Sequence, residues 1–323
     1  MLPLLRLAVV SALLIIPFTS KGWGFFAHER INRLAVFSLP PEMMVLFKPH
    51  LEYLVAQSTA PDKRRYMVPG EGARHYIDMD RYGSPPFPML PRGWREAVEK
   101  YTVDSLERNG VLPWHLERMM YRLTRFFMEG NTAGILKTAA ELGHYIGDAY
   151  VPLHACSNHN GQYTGQHGIH GLWESRIPEL FADRTFDYWT GKASYISSPG
   201  EHFWQIIIES SLAADSVLHI EKTLSMNFPS DQRYAYEPRN GQLVRNYSAG
   251  YTAAYHNRLN GMVERRLRGA IHSVASCWYT AWVNAGQPSL AKQAQPGFTG
   301  EEQQELRQLD SLWKQGKIIG RPH

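Results

Sequence analysis

Apolar positions recur at three- and four-residue steps along most of this chain, and strict two-residue alternation is rare, so the pattern predicts helices. Over 131–149, apolar or small side chains fall at Ile135, Ala139, Leu142, Ile146 and Ala149. Over 250–284, Tyr255, Leu259, Val263, Leu267, Ala270, Val274, Cys277 and Ala281 keep the same step and predict one long helix. Further helices are expected over 27–38 and 41–56, divided by Pro40 and Pro41, over 94–109, over 113–129 with Pro113 in its first turn, and over 201–219. Residues 57–92 are rich in Pro, Gly and charge and read as a loop, and 176–200 as irregular and aromatic. After Gln287 the chain is polar, with one short helix expected near 300–314. There are no repeats and no convincing strand. The expected fold is all-α, one multi-helix domain over 23–286 with a polar tail over 287–323.

The polar line of the 131–149 helix carries Lys137, Glu141, His144 and Asp148. Such a line is ordinarily a solvated face. Gly143 and Gly147 flank His144, however, and small residues let another backbone or a side-chain cluster approach closely. His144 and Asp148 stand four apart and share one helical face. His154 follows just past Pro152, where a helix should end or kink. His170 and Glu174 repeat the four-residue step. Imidazole nitrogen with carboxylate oxygen suits zinc, and also manganese or iron. One such pair arises easily by chance. Two pairs bracketing a third histidine make a far stronger signal. The 57–92 segment adds Asp62 and His75, and a loop of that length in a compact domain is usually functional or disordered.

Composition narrows the setting. With 323 residues and 44% hydrophobic side chains the chain has ample apolar surface for a core. The net charge of +4 is compatible with an anionic substrate or membrane surface without requiring either. Residues 1–22 combine Arg6, an apolar run from Leu7 to Phe18, and small Ser20 and Gly22. They predict a secretory signal peptide cut between Gly22 and Trp23, in preference to an uncleaved anchor, and hence a secreted or periplasmic product. Only Cys156 and Cys277 are present, which makes no disulfide framework.

Cleavage there would make Trp23 the mature N-terminus, five residues before His28. The order Trp23, His28, Asp62, His75, His144, Asp148, His154, His170 and Glu174, with its D-A-Y-V-P-L-H step from Asp148 to His154, resembles the zinc-dependent phospholipase C and fungal single-strand-specific nuclease superfamily over about 23–285. The resemblance implies three zinc ions. One would be held by Asp62, His75, His144 and Asp148; a second by His154, His170 and Glu174. The third would be held by the Trp23 amine and carbonyl, His28 and a bridging Asp148. It implies phosphodiester hydrolysis by activated water, with Asp62 orienting or deprotonating that water. Asp78 and Asp80 compete with Asp62, and His159 and His167 are spare imidazoles. His50, His115, His202, His219, His256 and His272 read as surface or core histidines, and Arg265, Arg266 and Arg268 as a solvated face.

Glu174 and the short stretch between His154 and His170 look like the bacterial phospholipase C branch, implying a phospholipid substrate and peripheral contact with a membrane surface. The nuclease branch usually has Asp at that last position and a longer insertion. A nuclease would also use stacking platforms, for which Tyr163, Trp173, Tyr188 and Trp189 are at hand. A third reading is a secreted protein that binds zinc for stability alone.

Overall fold

Helix α1 (Gly24–Val36) buries Ala27, Ile31, Ala35 and Val36 at three- and four-residue steps. In this computed structural model the described residues are 24–315 apart from 66, 86, 240–241 and 292–299. The predicted leader, its cleavage point and the ligand Trp23 lie outside them. After α1 come α2 (Pro41–Phe47), α3 (Leu51–Gln57) and α4 (Ala60–Arg64), then 3-10 turns at Gly72–His75 and Met79–Tyr82. The chain continues through α5 (Trp94–Tyr101), α6 (Val103–Asn109), α7 (Leu112–Glu129) and α8 (Thr132–Ala149). A 3-10 turn at Pro152–Ala155 leads to α9 (Ile169–Gly171), which runs on through π-helical stretches Leu172–Arg176 and Pro178–Ala182 into α10 (Asp183–Thr185). Next stand α11 (Pro199–Asn227), strands β1 (Tyr234–Arg239) and β2 (Gln242–Tyr247), α12 (Ala249–Arg258), α13 (Met262–Asn284) and α14 (Gly300–Lys314).

The fold is therefore all-α, decorated among the described residues by one small hairpin. Helix α8 runs through its middle, packed by α1, α3, α7 and α13. From Thr138 to Ala149 every side chain of α8 is buried, polar ones included. Asn131 caps its N-terminus through a side-chain bond from the Gly134 amide at 2.9 Å. Trp278 of α13 anchors the opposite side, donating its indole N–H to the Ala139 carbonyl at 2.9 Å. Gly143 lets α1 close on α8, since a Cβ there would stand 1.9 Å from Asn32 Oδ1. Asn32 Nδ2 uses that closeness to bond the Ala140 carbonyl at 2.9 Å and the Leu54 carbonyl at 3.0 Å, tying α1, α3 and α8 together. No described helix is long and apolar enough to cross a membrane.

Several boundaries differ from the pattern, each for a local reason. The predicted 250–284 helix is two helices, because Asn260 and Gly261 adopt positive φ of 48° and 71°. The 94–109 helix breaks at Thr102, with φ 66°. The 41–56 helix breaks between α2 and α3, and the 201–219 helix extends over Pro199–Asn227. The aromatic stretch after 176 stays helical to Thr185. The hairpin pairs Tyr234 with Tyr247 through to Arg239 with Gln242. Its Asn240-Gly241 dipeptide is a hairpin signal in the sequence. Alternation failed to announce it because the strands have no continuous buried face: Tyr236 and Leu243 are exposed, and Tyr247 is buried. Arg266 is not solvated. It donates Nε to the Tyr150 carbonyl at 2.8 Å and bonds Ser210 Oγ, pinning α13 and α11 to the end of α8.

Candidate metal centre

Eight of the nine expected ligands come together in one buried cluster, and the ninth, Trp23, is outside the described residues. His28 comes from α1, Asp62 from α4, His75 from the end of a 3-10 turn, and His144 and Asp148 from one face of α8. His154 sits on the turn past α8, His170 on α9 and Glu174 on the π-helical stretch that follows. Asp62 is 8% exposed and the other seven at most 2%. Three groups have ligand atoms within 4.8 Å of one another: His28, His144 and Asp148; Asp62, His75 and His144; His154, His170 and Glu174.

Asp148 is the hub. Its Oδ2 lies 2.9 Å from His75 Nδ1 and 3.3 Å from His144 Nε2, and its Oδ1 3.5 Å from His28 Nε2 and 3.9 Å from His154 Nε2. Asp62 Oδ1 stands 3.6 Å from His75 Nδ1 and 3.7 Å from His144 Nε2. Glu174 Oε2 stands 3.0 Å from His170 Nε2 and 3.4 Å from His154 Nε2. The four-residue steps seen in the sequence place both members of each pair on the same group.

The histidines are aimed by groups that the sequence pattern does not show. His144 Nδ1 faces the Ser58 carbonyl at 2.8 Å, His154 Nδ1 the His75 carbonyl at 2.5 Å, and His170 Nδ1 the His159 carbonyl at 3.0 Å. A carbonyl only accepts, so Nδ1 carries the proton in each ring and the Nε2 lone pair points into the cluster. His75 is reversed. Its Nδ1 points inward, and its Nε2 stands 3.8 Å from buried Glu71 Oε1. His75 Nδ1 and His144 Nε2 are consequently 3.1 Å apart. Two lone pairs at that distance repel unless a proton or a cation lies between them. His28 makes no hydrogen bond with either nitrogen and stacks on His144 at 3.8 Å.

The electrostatics agree with the geometry. Burial, reinforced by neighbouring His144, pushes His28 down to about 3, so its ring is neutral. Burial opposes the charge on Asp148, yet His144 and His154 beside it hold its carboxyl well below the usual carboxylate range. Asp62 is also buried and also lowered, by His144, His75 and His28. The His144 ring is disfavoured by burial as a cation, but Asp148 and Asp62 raise it above its ordinary value. Among the described residues, Asp62 and Asp148 form their close ion pairs with imidazoles and with no Lys or Arg. Carboxylate oxygens, inward imidazole lone pairs and locked tautomers fit divalent metal ions.

The other candidates fall away by position. Asp80 is occupied by the Ser157 amide at 2.8 Å and by Ser157 Oγ. Asp78 and Cys156 are buried but belong to none of the three groups. His159 serves through its carbonyl, and His167 is exposed. His115 packs edge-on against Tyr145 at 4.4 Å. Among the aromatic platforms, Trp173 is fully buried and offers no face for stacking, whereas Tyr163 and Trp189 are exposed. The residue that pattern reading missed is Glu71. Its only sequence signal is a four-residue step to His75. No family model matches this chain, and no curated protein sequence matches it.

Proposed function

We propose that this chain is a secreted, zinc-dependent phosphodiesterase of the phospholipase C and single-strand-specific nuclease type, closer to the phospholipase C branch. The observation that carries the reading is the convergence of three buried donor groups on Asp148, with the rings of His144, His154 and His170 locked lone-pair inward. His154, His170 and Glu174 would hold one ion, and Asp62, His75, His144 and Asp148 a second. His28 and Asp148 would hold a third, together with the Trp23 amine once residues 1–22 are removed. When bound, such ions offset the charge of a phosphodiester and lower the pKa of a water held at the site to about 7.

The protein's own groups divide the remaining work. Asp62 is the most exposed of the eight and its Oδ2 has no hydrogen-bond partner. Kept ionised chiefly by His144 and His75, it accepts a hydrogen bond from the attacking water and orients it, taking its proton as the water adds to phosphorus. The Ser58, His75 and His159 carbonyls fix the rings so that no reorientation accompanies the reaction. The clustered residues include no Ser or Cys, so the nucleophile in this reading is water.

A nuclease is the second reading. A groove beside α7 favours it, where exposed Trp94 and Tyr121 stand among Arg118, Arg122 and Arg125. That combination suits stacked bases and backbone phosphates. The test is turnover of phosphatidylcholine and of single-stranded DNA by the mature protein, each with and without chelator, alongside elemental analysis. Chelator-sensitive lipid hydrolysis with about three zinc ions per chain is expected. Cleavage of DNA alone moves the assignment to the nuclease branch. Firmly bound metal without turnover of either leaves a zinc-stabilised secreted protein.

A further inference from the structure

The helical run that carries His170 and Glu174 has a second face. Leu172, Ser175 and Glu179 recur there at three- and four-residue steps and line a cavity of about 570 Å³, closed on its far side by the end of α11 and by the hairpin. No residue of the three ligand groups lines it. Its volume falls within the range of small-molecule sites.

The lining is rich in donors that the protein does not satisfy. Arg176, Arg233 and Arg245 all face it. Arg176 is 8% exposed and bonds Glu237 through Nη2, but its buried Nε has no partner. Arg233 donates Nη2 to the Ser225 carbonyl, its buried Nε also has no partner, and it meets no carboxylate among the described residues. Arg245 lies over the Tyr234 ring at 3.8 Å. Glu221, the buried acid of the lining, is already used: Tyr251 O–H donates to one oxygen at 2.5 Å and Gln166 Nε2 to the other at 2.5 Å. A guanidinium cannot accept a hydrogen bond and stays charged, so unbonded Nε–H groups call for an anionic acceptor. Gln166, 7% exposed, has the opposite need, since its Oε1 accepts nothing from the protein. Tyr234 and Tyr247 add an aromatic wall.

We infer that this cavity binds a small phosphate monoester carrying hydroxyl groups. The phosphate oxygens would meet the Arg176, Arg233 and Arg245 guanidiniums in the forked geometry that Arg offers, and a hydroxyl would donate to Gln166 Oε1. The site is separate from the metal centre and does not depend on how that centre is read.

The experiment is calorimetric titration of the full-length mature protein with glycerol 3-phosphate, inorganic phosphate and glycerol. Glycerol 3-phosphate is expected to bind saturably, inorganic phosphate more weakly, and glycerol not at all. Arg233→Gln and Arg245→Ala should each weaken glycerol 3-phosphate binding by about tenfold or more, as loss of a charged hydrogen bond does. Asp62→Asn should leave it unchanged. Phosphate drawn to the metal centre would be indifferent to both arginines, so unchanged affinity in the two variants overturns the inference. Absence of saturable binding up to about 10 mM does so as well. Arg245 is exposed, so its variant decides the matter if Arg233→Gln does not fold.

Discussion

Helix α8 borders two buried polar clusters, and they balance their charges differently. In the first, Arg64 Nη1 bonds Glu141 Oε1 at 2.6 Å and Arg74 Nη1 bonds Glu71 Oε2 at 2.6 Å. Arg64 Nη2 reaches Tyr145 Oη at 3.3 Å, and Tyr145 donates to Glu71. Two guanidiniums face two carboxylates. Burial opposes ionisation of Glu71, but its contacts with His75 and Arg64 hold it far below the usual range. In the second cluster three carboxylates face five imidazoles. A buried polar cluster that closes its own charges serves as structure. One that gathers imidazole nitrogens and carboxylates within ligand distance of one another could hold metal ions. Glu71 joins the two clusters, backing His75 in one and closing the guanidinium pairs in the other.

Removal of metal should break the comparison most sharply. Exhaustive chelation is expected to abolish hydrolysis and to lower the melting temperature by about 10 °C for each ion released, if each is present at about a thousandfold over its Kd. Asp148→Asn should destabilise the metal-loaded protein strongly and the chelated one less, because the imidazoles around it favour its charge even without metal. Calorimetry with and without chelator reads both losses. Identical melting curves would make the cluster an ordinary satisfied core.

An extended N-terminus should cost the third group its ion. Protein with one residue added before Trp23 has an amide where the amine is needed, and an amide nitrogen is essentially non-basic. Loss of one zinc and most activity is expected, and equal metal content and turnover in both forms would remove Trp23 from the site.

Asp62→Asn should reduce turnover by about 10²–10⁴-fold while metal content holds, because the amide keeps an oxygen but takes no proton. Parallel loss of metal would make Asp62 a ligand only, and full activity would remove it from the base role.

Glu71→Gln tests the other cluster. Breaking its guanidinium pairs should cost about 3 kcal/mol in urea unfolding even in chelator, where only the structural loss is read. In metal-loaded protein the same change should weaken metal affinity about 10–100-fold, since His75 loses its backing. A variant stable in chelator would contradict the structural role.

The smallest effect belongs to Gly143→Ala. The added methyl would meet Asn32, costing about 1–3 kcal/mol and displacing α1. Metal loss should begin with the group that includes His28, which elemental analysis can follow.

The sequence by itself determined the helical class and which His, Asp and Glu side chains could form metal-holding groups. Three- and four-residue periodicity reports a local geometry, and so does the step between His144 and Asp148 or between His170 and Glu174. Both survive because they depend on one turn of backbone. The tail helix near 300–314 was legible for the same reason. Breaks at Thr102 and Asn260 were not, because a single residue at positive φ leaves the apolar rhythm on either side intact. What the tertiary structure alone decided is how the ligands face. The carbonyls that lock His144 and His154 come from 86 and 79 residues away in the chain. Glu71 matters through Arg64, Arg74, Tyr145 and His75 together, and His28 reaches Asp148 where Gly143 and Gly147 let α1 close on α8. Helical periodicity repeats every few residues and carries no information about which distant backbone a ring nitrogen will meet, so that choice is made only when the helices pack.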